Sequence, residues 1–257
     1  LPFTPSQLTE IIRQYPTPFH IYDEAAIRQN VRNLLAAFAW APQFKEYFAV
    51  KATPNPSILK VLREEGAGAD CSSLAELILA QRSGIVGENI MFSSNDTPAE
   101  EFQKARELGA IINLDDISHI EFLERHAGIP DVISFRYNPG PLMQSGNTII
   151  GFPEQAKYGL TRQQIFEAYR IMRDKGVKRF GIHTMVISNE LDPDGYIGTA
   201  NMMLDLVVEL QKELGIVFEF VNFGGGIGIP YKPDQQPVDL AYVGRGITQP
   251  YQAKIAA

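Results

Sequence analysis

The stretch "YFAVKATPNPSILKVLREEGAGADC" (residues 47–71) holds a strand, a helix and a second strand in succession, and the fold follows from it. Tyr47, Phe48, Ala49 and Val50 read as a strand on propensity, and Pro54 and Pro56 keep that strand from continuing as a regular ladder. Lys51 is therefore expected as the last residue of the strand. "SILKVLREEG" then carries apolar residues at helical spacing and closes on Gly66, where a C-cap belongs. "AGADC" supplies the next short strand. A helix spanning the gap between two strands is a crossover, so the two strands run parallel.

The same unit repeats outward. Strand-like runs appear at "FKEYFAVK" (44–51), "AGADC" (67–71), "NIMF" (89–92), "AIINL" (110–114), "DVISFRYN" (131–138), "FGIHTMVI" (180–187) and "VFEFVNF" (217–223). "SLAELILAQRSG", "PAEEFQKARELG" and "ISHIEFLERHAG" are helical patterns between them, each again ending on glycine. An open doubly wound sheet and a (β/α)₈ barrel both satisfy this rhythm. Short regular spacing and a single succession of helices favour the α/β fold of a (β/α)₈ TIM-type barrel. Before the repeats, "FHIY" (19–22) reads as a short strand and residues 23–39 as a helix. In either architecture, functional groups collect at the carboxyl ends of the strands.

Composition sets the outer bounds. The 257 residues are 45% hydrophobic and 21% charged, enough apolar surface for one sizeable core. A net charge of -7 argues against a nucleic-acid surface, which needs clustered Lys and Arg to displace counterions. The single cysteine, Cys71, excludes an internal disulfide and fits a reducing compartment, which makes the cytoplasm the expected location. No apolar run is long enough to predict a membrane span, and His20, His119 and His126 show no metal-ligand clustering. His119 and His126 are expected on a solvated helix face.

Polar residues gather at the predicted strand ends: Lys51 on the first, Asp70 and Cys71 on the second, Arg136 on the fifth and His183 on the sixth. Gly224, Gly225 and Gly226 of "NFGGGIGIPY" follow the seventh. Alone, Lys51 reads best as a solvated charge, and the glycines equally as a phosphate cradle or as a loop needing positive φ. Together on one rim, a lysine and a phosphate cradle point to pyridoxal 5'-phosphate. Its aldehyde condenses with a lysine amine, and its ring takes up the electron pair left by a departing group.

"PTPFHIYD" (16–23), "FAVKATPNPSILKVL" (48–62), "GAGADCSSLAEL" (66–77), "FRYNP" (135–139), "AKYGL" (156–160), "GIHTMV" (181–186) and "NFGGGIGIPY" (222–231) together resemble the barrel domain of fold-type III pyridoxal-phosphate decarboxylases, the diaminopimelate decarboxylases in particular. The Pro-Asn-Pro after the lysine is similar to the decarboxylases, whereas alanine racemases of the same fold continue Asn-Ala-Tyr-Gly. The resemblance implies that Lys51 is the Schiff-base lysine and that His183 packs against the cofactor ring. It also implies that Gly224 to Gly226 bind the phosphate through backbone amides. Asp70 and Arg136 match polar positions lining the family's site, or else form an ordinary rim ion pair. Glu76 matches an acidic position nearby, or else is a helix-surface charge.

One departure stands out. Where the family usually reads Ile-Gly-Ser-Gln after the histidine, this chain reads "HTMVISNELD", and Ser188 is the candidate for the usual phosphate-binding serine. The resemblance further implies an amino-acid substrate and a homodimer with shared active sites. Only seven repeating strands precede "VDLAYVGRGITQPYQAKIAA", so the barrel is expected to lack its last strand. That strand, the carboxylate partner of the ring nitrogen and the family's C-terminal β-domain are expected beyond Ala257. Residues 1–22 then form an N-terminal segment packing with that β-domain, residues 23–257 the cofactor-binding barrel, and the barrel alone is expected to be inactive.

Overall fold

The computed structural model describes residues 3–41, 43–140 and 158–255. Helices α1 (Pro5–Gln14) and α2 (Glu24–Ala37) precede strand β1 (Tyr47–Ala49). Then come α3 (Pro56–Glu64), β2 (Gly68–Cys71), α4 (Leu74–Arg82), β3 (Ile90–Ser94), α5 (Ala99–Glu107), β4 (Ile111–Leu114), α6 (His119–Ala127) and β5 (Val132–Tyr137). The chain continues through α7 (Arg162–Asp174), β6 (Arg179–Thr184), α8 (Pro193–Leu214), β7 (Phe218–Asn222) and α9 (Leu240–Lys254). All seven strands are parallel and lie in the sheet in chain order.

The sheet is curled. β3 and β7 are four places apart, which in a flat sheet separates them by about 19 Å. Yet Asn222 Nδ2 lies 3.1 Å from Met91 Sδ, and Tyr47, Met91, Ile111, Val132 and Phe220 share one apolar cluster. At the amino ends of the strands, Arg179 on β6 pairs with Glu88 just before β3. The fold is thus an α/β barrel of seven strands, and among the described residues no eighth strand joins the edges β1 and β7.

The helical layer does close. α9 packs on both α8 and α2 around Phe38, Val186, Ile187, Tyr196, Ala200, Val243 and Ile247. Gly244 permits the approach, because a Cβ there would stand 2.1 Å from the Ala37 carbonyl oxygen. Between sheet and helices, the fully buried Tyr169 donates to the Gly181 carbonyl at 2.6 Å and meets Phe135, Phe180 and Phe218 edge-on.

Three local expectations need correction. β1 ends at Ala49, and Lys51 sits in a 3₁₀ turn over Val50–Ala52, closed by the Thr53 N–H on the Val50 carbonyl at 3.1 Å. "FHIY" (19–22) belongs to no sheet among the described residues, since strand propensity without a neighbour to bond yields no strand. The proline-rich opening, for which no element was expected, contains α1, whose start is a capping box: Thr4 Oγ1 accepts from the Gln7 N–H, and the Gln7 side chain accepts from the Thr4 N–H. β6 stops at Thr184 rather than residue 187, because the Met185 carbonyl is taken by Arg136 and Asn189 turns the chain at φ 50°. Residues 156 and 157 of "AKYGL" lie outside the described residues.

Candidate active site

Parallel strands deliver their carboxyl ends to one rim, and the candidate residues arrive there from β1, β2, β5, β6 and the turn after β7. Lys51 follows β1, is exposed, and makes no hydrogen bond or ion pair among the described residues. Asp70 on β2 accepts the Ser93 hydroxyl at 2.8 Å, and Asn113 Nδ2 donates to Ser93 Oγ at 2.8 Å. Burial pushes the Asp70 carboxyl up to about 6, with the Ser93 hydrogen bond and the Lys51 charge pulling the other way. The lysine and the aspartate therefore share one electrostatic environment.

Asp70 and Arg136 do not form a direct ion pair. Arg136 on β5 instead binds Asp115 Oδ1 at 3.2 Å and the Met185 carbonyl at 3.2 Å, with its guanidinium 5.2 Å from the Tyr158 ring centroid. Asp115 Oδ2 also accepts from Asn95 Nδ2 at 2.7 Å and from the Gly159 N–H at 3.3 Å. A charge at the end of β4 outcompetes Asp70 because it lies on the strand adjacent to β5.

His183 is buried on β6, in register with Arg136 on one side and Asn222 on the other. Burial, then the Arg136 charge, lowers its pKa to about 3 against hydrogen bonding to Asn222, so the ring is neutral throughout the physiological range. Its Nδ1 is buried without a hydrogen-bond partner, as are Ser134 Oγ on the adjacent β5 and Asn113 Oδ1 on β4.

The glycine turn is tightly determined. A Cβ on Gly224 would stand 2.2 Å from the Thr184 carbonyl oxygen, and one on Gly226 would stand 2.3 Å from that of Ile187; their φ angles are 73° and 96°. Gly225 is exposed, with open space where its Cβ would be. The segment after β6 is zipped to this turn: the Glu190 N–H donates to the Gly226 carbonyl at 2.8 Å, and the Gly228 N–H to the Glu190 carbonyl at 2.7 Å. "HTMVISNELD" is thus one wall of the glycine turn, and half-buried Ser188 lies within that wall.

Glu76 is occupied elsewhere. Its carboxylate accepts from the Ser72 N–H at 2.8 Å and the Ser72 hydroxyl at 3.0 Å, just ahead of the Ser73 N-cap of α4. His119 is not on a solvated face, being half-buried and edge-on to Phe102 with Nδ1 buried; His126 is exposed beside Phe122. Sequence reasoning missed Asp115, Met185 and Tyr196. Asp115 was findable as the charge ending "INLDD". Tyr196, whose hydroxyl donates to the Gly224 carbonyl at 3.0 Å, sits in a helix where an aromatic residue reads as ordinary core.

Residues 24–255 match the family described as "Pyridoxal-dependent decarboxylase, pyridoxal binding domain". Protein TabA of Pseudomonas amygdali pv. tabaci is 43% identical over 234 residues, covering 91% of this chain and 54% of that protein. The diaminopimelate decarboxylase of Methanothermobacter thermautotrophicus is 33% identical over 250 residues, covering 96% and 58%. The crystal structure of diaminopimelate decarboxylase from Helicobacter pylori complexed with L-lysine aligns at TM-score 0.83 and 27% identity, covering 95% of this chain and 63% of that one. The chain spans little more than half the length of the curated relatives it matches. From the family match along nearly its whole length and from the shared barrel, the chain belongs to the pyridoxal-dependent decarboxylases and carries their cofactor-binding domain.

Proposed function

We propose that the protein carrying this chain decarboxylates an amino acid, converting meso-diaminopimelate to L-lysine and CO₂. The observation that carries this reading is Lys51: an exposed amine without an ion-pair partner among the described residues, at the strand-end rim with Asp70 and the glycine turn. The chain is 33% identical to a protein named diaminopimelate decarboxylase, and this supports the choice of substrate.

The residues fit pyridoxal phosphate. Gly224 and Gly226 keep backbone where a Cβ would collide, and with the Gly224 N–H already given to Asn222 Oδ1, the Gly225 and Gly226 amides are left to face a phosphate. His183 offers a neutral ring, in register with Asn222 on β7, that carries no charge to repel a pyridinium. Lys51 would hold the cofactor covalently through its amine. Asp70, its carboxyl raised into the range where it exchanges protons near neutrality, holds or releases a proton beside that amine. Arg136, fixed by Asp115 and by the Met185 carbonyl, ties the rim to the loop after β6. Ser188 is assigned a phosphate contact. When bound, the cofactor supplies the electron sink for the pair left as CO₂ departs.

A cytoplasmic homodimer with shared sites, and a barrel inactive without the remainder of the protein, complete the reading; residues 1–22 are assigned to packing against that remainder. No helix among the described residues is long and apolar enough to cross a membrane. The test uses the full-length protein with pyridoxal phosphate. CO₂ release from meso-diaminopimelate exceeding that from ornithine, arginine or a carboxylated polyamine supports the substrate. Release from one of those instead reassigns it, and a cofactor spectrum without any CO₂ release makes the protein a non-catalytic carrier. Borohydride is expected to fix the cofactor on Lys51 and to leave Lys51→Ala unlabelled; labelling that persists in the variant overturns the lysine assignment.

A further inference from the structure

We propose that Tyr196 on α8 is a positioning residue that aims the backbone N–H of Gly225 at the anionic group of the bound cofactor. The inference rests on the glycine turn being the phosphate cradle of the proposed function. It starts from peptide geometry. In a planar trans peptide the C=O and N–H point in opposite directions, so whatever holds the Gly224 carbonyl also fixes where the Gly225 N–H points.

That carbonyl accepts the Tyr196 hydroxyl at 3.0 Å. On the other side of the same peptide, the Gly225 N–H meets Met185 Sδ at 3.3 Å. Met185 lies two residues beyond His183, and its own carbonyl is held by Arg136. The Gly225 N–H is therefore delivered to the rim side of the turn. A thioether sulfur is a weak acceptor, and an anionic oxygen taking its place gains a charge-assisted bond.

The turn needs such a pin at this peptide. Gly224 has φ 73°, and around Gly225 nothing lies within 4 Å of the Cβ position, so side-chain sterics do not hold the plane between them. Its neighbours are fixed differently. The Gly224 N–H donates to Asn222 Oδ1 at 2.8 Å, and the Gly226 carbonyl accepts from the Glu190 N–H at 2.8 Å. The peptide between Gly224 and Gly225 is held from a helix, by a buried side chain. Burial, reinforced by the Glu46 carboxylate, raises the Tyr196 pKa, so the phenol keeps the proton it donates.

Tyr196→Phe in the full-length protein tests this, because it deletes the hydroxyl and keeps the ring that packs against Val243 and Ile247. Affinities for inorganic phosphate, pyridoxal phosphate and unphosphorylated pyridoxal are measured by calorimetry. Phosphate and pyridoxal phosphate are expected to bind about ten-fold more weakly to the variant, with pyridoxal unchanged, the size expected for one lost hydrogen bond that orients a donor. Unchanged phosphate affinity, or an equal loss for pyridoxal, overturns the positioning role while leaving the cofactor assignment intact. Wild-type protein that binds neither phosphate nor pyridoxal phosphate overturns the cofactor reading and this inference with it. If the variant fails to fold, the wild-type Gly225 amide resonance decides: a downfield shift on phosphate titration supports the assignment, and an unmoved resonance refutes it.

Discussion

Arg136 on β5 places one guanidinium nitrogen 3.2 Å from the Asp115 carboxylate and another 3.2 Å from the Met185 carbonyl, joining the end of β4 to the loop after β6. The two side chains are only 16% and 10% exposed. Asp115→Ala leaves a mostly buried guanidinium without its counter-ion and frees the Asn95 amide and Gly159 N–H as well. The expected cost is about 3 kcal/mol in denaturant unfolding. A loss below about 0.5 kcal/mol puts the pair with ordinary surface bridges.

The three glycines are expected to respond differently to alanine. Gly224→Ala and Gly226→Ala each drive a Cβ into a carbonyl at a positive φ, and each is expected to destabilise the fold by about 1–3 kcal/mol. Gly225→Ala enters open space and is expected to leave the melting temperature nearly unchanged while weakening phosphate binding at the exposed turn. Thermal melts beside phosphate titrations separate the two classes. Equal melting losses at all three positions refute the distinction.

The barrel was legible because its signal is repeated. Each crossover shows apolar residues at helical spacing and a terminal glycine, and Gly66, Gly84, Gly109 and Gly128 all adopt the positive φ that such an ending requires. The placement of Lys51, His183 and the glycine turn on one strand-end rim was legible because their residue types are unusual next to an apolar strand. The partners of those residues were not. Whether Arg136 chooses Asp70 or Asp115 depends on which strands lie side by side, and Tyr196 meets Gly224 across a separation of 28 residues. Such choices are made by tertiary packing, to which local spacing is blind. α1 is a different case: its capping box, Thr4 with Gln7, is a local signal that the spacing of the later crossovers does not bring forward.

His183 sets an acid-side dependence. Its folded pKa, about 3, lies below the 6.5 of an unperturbed histidine. Between those values the unfolded chain binds a proton that the native state refuses, so native stability falls as pH drops through this window. His183→Phe keeps a flat ring and removes the proton. Its unfolding free energy relative to wild type is therefore expected to rise as pH is lowered from 7 to 4. A difference that is constant over that range places the imidazole in water.

Glu46, just before β1, sets a dependence of opposite sign. Desolvation, then repulsion from Asp70, pushes its carboxyl up to about 7 from an ordinary 4.5. Between those values the native state keeps a proton that the unfolded chain has released, so stability falls as pH rises from 4.5 to 7 and levels off above. Glu46 makes no hydrogen bond or ion pair through its side chain among the described residues, so no partner offsets the cost of ionising it. Glu46→Gln preserves the shape and removes the titration. The variant is expected to match wild type near pH 4.5 and to melt roughly several degrees higher at pH 8. Because Glu46 also raises the Tyr196 pKa, the substitution leaves the phenol protonated, and the bond to the Gly224 carbonyl is expected to survive it. A stability gain at pH 8 with unchanged phosphate affinity is the combined outcome. If the variant gains nothing between pH 5 and pH 8, the wild-type carboxylate is solvated and ionises normally in the folded chain.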